Sequence, residues 1–274
     1  MDTSEDLPGA LPFLPSTIAK EEEQGREAYV VVIDNVPDFL WWIQNPEPKV
    51  QWLEVQDLIG VAEIWRNAAG KETDVAIDLI IEKPEKEAAY LSRLVEVSNV
   101  RDIRVSIKTR PGFLKALKMA TSLGLPVRLL PVHMGKAGFK ELAHALDYYL
   151  NDPEIRSPVE FFRSALLSEE GPATAHLWQV IEDDSTVFER WDSVVPPSDA
   201  AERYVKYLKR PDPECRKCRH LDFCRGFFKQ WDPNDSCKGI LKVYDKITES
   251  SQNVDKSDSR FTVDPSVIGK NPLS

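Results

Sequence analysis

"VRDIRVSIKTRPGFLKALKMATSLGLPVRLLPV", residues 100–132, is the stretch whose reading decides the fold. It begins with a strand-like run, "VRDIRVSIK", breaks at Pro111 and Gly112, continues with helical spacing of apolar residues in "FLKALKMATSLG", and returns to a short apolar run, "PVRLLPV". A strand, a helix and a second strand in roughly 30 residues make a β-α-β unit, whose strands run parallel because the helix carries the chain back across the sheet. Pro111 suits the first helical turn, where a missing N–H costs nothing, and Gly124 suits the C-terminal stop.

Outward from this unit the same texture recurs. Residues 28–34 ("AYVVVID"), 50–55 ("VQWLEV") and 74–82 ("DVAIDLIIE") read as strands. Between them, "NVPDFLWWIQN" reads as a short turn or helix, and "DLIGVAEIWRNAAG" as a helix with Leu58, Ile59, Ala62 and Trp65 on one face. "KPEKEAAYLSRLVEVSN" gives a helix with Ala88, Leu91, Leu94 and Val95 on its apolar side. Downstream, "GKAGFKELAHALDYYLN" and "SPVEFFRSALLSEEG" read as two more helices. Strands that alternate with helices imply a largely parallel sheet. The predicted fold class is α/β, either a shortened partial (β/α) barrel or an open, mainly parallel sheet; a complete eight-unit barrel needs more chain.

Near Gly171 the pattern changes. Residues 176–192 ("HLWQVIEDDSTVFERWD") read as a β-hairpin around a short acidic turn, and "DAAERYVKYLK" as a helix capped by Ser198 or Asp199. The expected organisation is a mobile tail over 1–27, a β-α domain over 28–170, a cysteine-rich domain with a β-hairpin over 171–248, and a second mobile tail over 249–274.

With 42% hydrophobic and 29% charged residues in 274, the composition is that of a globular protein. Its net charge of -10 argues against a general nucleic-acid binder, which needs a basic face. No apolar run approaches the roughly 20 residues of a membrane helix. The N-terminus lacks the basic start and continuous apolar stretch of an export signal, so a cytoplasmic location with no membrane partner is expected. The charge is uneven: residues 202–229 hold nine Lys and Arg against four acids. That excess surrounds the cysteines, where it suits an anionic metal-thiolate site, an acidic partner, or merely a solvated face.

The chain has four cysteines, Cys215, Cys218, Cys224 and Cys237, all within one short segment. A disulfide framework staples distant segments of secreted chains, and this distribution does not. The spacing C-x2-C-x5-C-x12-C suits convergent thiolates at a tetrahedral metal ion or a cluster. Zinc ribbons usually pair two C-x2-C knuckles and only one exists here, while "LDFCRGFF" offers the apolar setting that shields a redox cluster. Zn2+ and an iron-sulfur cluster both remain open on spacing. All-cysteine ligation leaves no exchangeable ligand, which favours structure or electron transfer over substrate activation.

C-x2-C-x5-C followed by a more distant cysteine resembles the SPASM or twitch region of radical S-adenosylmethionine (SAM) enzymes that modify peptides. In that family the region carries auxiliary [4Fe-4S] clusters, and its fuller pattern adds a cysteine four residues later, where this chain has Phe228. An upstream cysteine of the family aligns near Arg190. Both departures remove ligands of the first auxiliary cluster, while Cys215, Cys218, Cys224 and Cys237 match the full set for the second. The radical-forming C-x3-C-x2-C motif is absent, since no cysteine precedes Cys215. The specific resemblance covers about residues 173–245; residues 28–150 are similar in texture only to the family's partial barrel. The resemblance implies a free-standing accessory protein with one [4Fe-4S] cluster, whose partners are a radical SAM enzyme or a precursor peptide and which has no radical chemistry of its own.

Two other classes compete: a binding module with structural zinc, and an independent enzyme on the β-α domain. For the latter, His133 follows a strand, where α/β proteins place functional loops, and Asp34, Glu54 and Asp78 lie at or inside strands that would bring them to one sheet edge. His144 is expected to pack on its helix, and His220, between ligands, to hydrogen-bond a sulfur. Trp41, Trp42 and Trp52 read as core rather than as an exposed peptide-binding patch. No phosphate-binding glycine loop or nucleophile elbow occurs.

Overall fold

The computed structural model describes residues 13–16, 29–70, 75–130, 132–167, 177–182, 185–190, 213–224, 227–229 and 236–253. The β-branched runs form strands β2 (Tyr29–Ile33), β3 (Val50–Val55), β4 (Ala76–Ile81), β5 (Ile103–Lys108) and β6 (Val127–Leu130). With β1 (Phe13–Pro15) and β7 (Val159–Glu160) they make an open seven-stranded sheet in chain order, every adjacent pair parallel. When order follows sequence, each crossover steps the same way, and right-handed crossovers then put all connecting helices on one face. The packing follows this rule. Val31, Ile33, Leu53, Val55, Ile77, Leu79, Val105 and Ile107 share one core with the helices, whereas Val30, Trp52 and Ala76 form a separate cluster on the other face.

The helices are α1 (Val36–Gln44), α2 (Ala62–Ala69), α3 (Pro84–Glu87), α4 (Val95–Ser98), α5 (Phe113–Ser122), α6 (Lys136–Asn151) and α7 (Phe162–Leu167). Asn35 caps α1, its Oδ1 accepting from Asp38 N at 3.0 Å. Helix α2 starts later than its apolar pattern predicts: Leu58 and Ile59 are buried in the preceding turn, Ala62 is exposed, and Ile64, Trp65 and Ala68 face the core. Between α3 and α4 the chain is a 3-10 helix, Ala88–Leu94. The buried residues there are Ala88, Leu91, Leu94 and Val97, spaced strictly by three, so three residues per turn aligns the stripe better than 3.6. Val97, not Val95, therefore ends the apolar side.

Gly112 rather than Pro111 sets the start of α5. It caps the helix with φ of 86°, and a Cβ there would stand 3.0 Å from Glu85 Cα, so conformation and space both require glycine. Gly124 ends the unit at φ of 73°, as predicted.

Two short strands escape sequence patterning. β1 arises inside the segment read as a tail, and β7 inside "SPVEFFRSALLSEEG", read as helix throughout. Strands of three and two residues carry no measurable period. Phe161 turns the chain from β7 into α7 at φ of 95°, a strained backbone for a bulky residue, held by its full burial. The predicted hairpin is present as antiparallel β8 (Leu177–Glu182) and β9 (Ser185–Arg190). Asp183, Asp184 and the predicted helix "DAAERYVKYLK" lie outside the described residues. No helix among the described residues is long and apolar enough to cross a membrane.

Candidate metal centre

The cysteine segment folds as α8 (Pro213–Arg216), α9 (Leu221–Cys224), a 3-10 turn (Phe227–Lys229) and α10 (Lys238–Ser251). Its backbone winds tightly. Cys218 N donates to Cys215 O at 3.1 Å, Leu221 N to Cys218 O at 3.3 Å, and Cys224 N to His220 O at 2.7 Å. Cys237 caps α10, where Leu241 N donates to its carbonyl at 3.1 Å.

These turns bring all four cysteines into the wall of one cavity of about 320 Å³, shared with Glu214, Lys229, Ile240 and Tyr244. Cys215, Cys224 and Cys237 are buried, Cys218 is half-buried, and none is disulfide-bonded.

Two polar clamps frame the cavity. Lys229, 1% exposed, donates from Nζ to Glu214 Oε2 at 3.1 Å, and the same oxygen accepts from Cys237 N at 3.3 Å. One carboxylate thus joins the first cysteine's helix to the last cysteine's backbone. On the other side His220 Nε2 meets Asp245 Oδ1 at 2.7 Å, and Arg219 binds the same oxygen. Asp245 is held below the usual carboxylate range, first by His220 and then by Arg219. The His220 ring is therefore engaged by a carboxylate. The ring's hydrogen-bond partners are Arg219 and Asp245 rather than the sulfur expected of it.

Burial, above all, pushes the Cys218 thiol up. The Cys237 thiol is raised by its hydrogen bond with Cys215 and then by burial, opposed by the nearby Lys229 ammonium. Cys218 and Cys237 are thus neutral thiols that a bound cation would have to deprotonate. A single zinc ion with Zn–S near 2.3 Å needs its sulfurs about 3.8 Å apart. Among the described residues no group of three or more His, Cys, Asp or Glu side chains is placed to hold a metal ion.

The segment is anchored to the β-α body. Ile240, Val243, Tyr244 and Ile247 of α10 join the main core. Phe228 is buried with its ring centroid 5.9 Å from Phe139, 6.2 Å from Phe161 and 6.1 Å from Tyr244. Where the fuller family pattern would carry another cysteine, this chain carries a hydrophobic anchor.

The other sequence candidates do not assemble. His133 and His144 are both exposed, so His144 is not the packing residue expected of it. Glu54 and Asp78 are register neighbours on β3 and β4 and fully buried, but Asp34 is exposed beyond the end of β2. Asp78 is bonded by Arg104 at 2.9 Å, Ser106 Oγ at 2.5 Å and Arg128, which makes it a neutralised structural carboxylate. Trp42 and Trp52 are buried, with the Arg104 guanidinium 4.0 Å from the Trp52 ring centroid, and Trp41 is partly exposed at 37%. Sequence reasoning did not single out Glu214, Lys229 or Tyr244. Lys229 was visible only as one of nine basic residues, and Tyr244 only by its position one turn after Ile240.

Compared with known proteins, the chain matches no family model, no curated protein and no solved structure.

Proposed function

We propose that this protein is a SPASM-like accessory protein that holds one [4Fe-4S] cluster through Cys215, Cys218, Cys224 and Cys237. It serves a radical SAM enzyme, or that enzyme's precursor peptide, by docking or electron transfer, without radical chemistry of its own. The observation that carries the reading is convergence: every cysteine of the chain lines one cavity. The buried Lys229 ammonium, though paired with Glu214, lies close enough to Cys237 to favour its thiolate, which supports the reading further. When bound, such a cluster supplies one-electron transfer.

The chain's own part is to exclude water with Leu221, Ile240 and Leu241, and to fix the knuckle through the Glu214–Lys229 pair and Asp245. The exposed cations Lys217 and Lys238 beside this site supply a surface for an acidic partner. The test is to purify the protein without oxygen and count iron and acid-labile sulfide, alongside serine variants at each of the four cysteines. Near-stoichiometric four iron and four sulfide per chain, lost in the variants, support the reading. Zinc without iron would instead assign a structural zinc module.

A further inference from the structure

We infer that Tyr244 donates a hydrogen bond from its Oη to the Cys224 sulfur of the bound cluster and thereby raises the cluster's reduction potential. The inference rests on the iron-sulfur reading above and adds a named residue that tunes it.

Tyr244 sits in the second turn of α10, is 1% exposed, and lines the cysteine cavity. Its hydroxyl is a buried polar atom without a hydrogen bond of standard geometry. Native proteins rarely leave such a group unsatisfied, so an orphan hydroxyl in a cavity wall points to an acceptor that belongs in the cavity. The ring cannot turn away to find water. Phe223 packs edge-on at 5.1 Å, His220 lies at 5.6 Å and Phe228 at 6.1 Å between ring centroids. The cavity wall that Tyr244 shares with Cys215, Cys218, Cys224 and Cys237 offers its hydroxyl sulfur acceptors, and of these Cys224 acts on it most strongly.

A protonated thiol is a weak acceptor, and a metal-bound thiolate a much better one. The contact therefore matures when the cluster binds. A hydrogen bond to a ligand sulfur stabilises the more negative, reduced state, so it moves the potential upward.

Tyr244→Phe removes one oxygen and keeps the ring between Phe223 and Phe228. The full chain and the variant are loaded without oxygen, assayed for iron and sulfide, and titrated against redox mediators with the paramagnetic signal as readout. The expected result is unchanged iron and sulfide with the midpoint moved negative by about 59 mV, a tenfold change in the one-electron equilibrium. A loaded variant with an unmoved midpoint overturns the inference and leaves the cluster reading standing. A wild-type chain that takes up no cluster overturns both. Should the variant fail to load, 3-fluorotyrosine placed at position 244 decides: this stronger donor is expected to move the midpoint positive, and no movement overturns the inference.

Discussion

Lys229 carries an ammonium into a site closed to water, and its partner Glu214 sits at the partly exposed edge of that site, 31% accessible. The two ends of this pair are therefore unequal. Glu214→Gln strands a buried cation, because the amide still accepts from Cys237 N but carries no charge; the expected cost is about 3 kcal/mol. Lys229→Met leaves a carboxylate that water can reach, at an expected cost of about 1 kcal/mol or less. Denaturant midpoints of the two variants check this order, and the reverse order would mean that Lys229 is not the buried partner. Asp78 is the same problem with the signs exchanged. Asp78→Asn leaves Arg104 and Arg128 facing each other without their shared carboxylate, and about 3–5 kcal/mol should be lost in chemical denaturation. At this scale the sequence told which residue types were present and not which were paired. Asp78 and Arg128 are separated by 50 positions, and only the β4-β5-β6 register makes them neighbours.

Among elements, α10 is the one that ties the cysteine site to the body. Gly239, two residues after Cys237, lets the helix approach α6 so closely that a Cβ would stand 2.5 Å from Phe139 Cδ2 and 2.6 Å from Phe139 Cβ. Helix propensity alone would make Gly239→Ala stabilising by about 1 kcal/mol. Overpacking against Phe139 should reverse the sign, to a net loss of about 1–2 kcal/mol, read from thermal or denaturant unfolding. Adding Phe139→Ala should restore the ordinary propensity gain for the second substitution, which a double-mutant cycle measures. The long elements were legible beforehand: β3 has the predicted bounds, and α6 lacks only the first residue of its stretch. What stayed hidden had too little length or the wrong period. β1 and β7 are too short to repeat, and the segment after β4 repeats by three because it is a 3-10 helix.

At the scale of the described residues, the body is a singly wound parallel sheet with its helices on one face and the cysteine segment packed onto those helices. Strand alternation announced the parallel sheet, but nothing in a sequence states that strand order equals chain order. Likewise the cysteine spacing announced convergence, while the apolar wall of the cavity, Ile240 and Tyr244, depends on contacts across the core. Because Cys218 and Cys237 are held protonated at neutral pH, cation binding must displace their protons. A raised thiol pKa makes binding stronger as pH rises, by about tenfold per pH unit for each thiol displaced. Chelator competition with Zn2+ as the probe at pH 6.5 and 7.5 should therefore show tighter binding at the higher value. Metal removal should also act locally, lowering hydrogen-exchange protection in the cysteine segment and the start of α10 while β3, β4 and β5 keep theirs.

The central claim is that four cysteines hold one cluster, and native mass spectrometry of the anaerobically reconstituted full chain addresses it directly. The expected spectrum has one dominant species, heavier than the bare chain by four irons and four sulfides less the displaced protons, and this increment disappears when Cys237 is replaced by serine. A chain that gains the mass of a single zinc, or gains nothing, would contradict it.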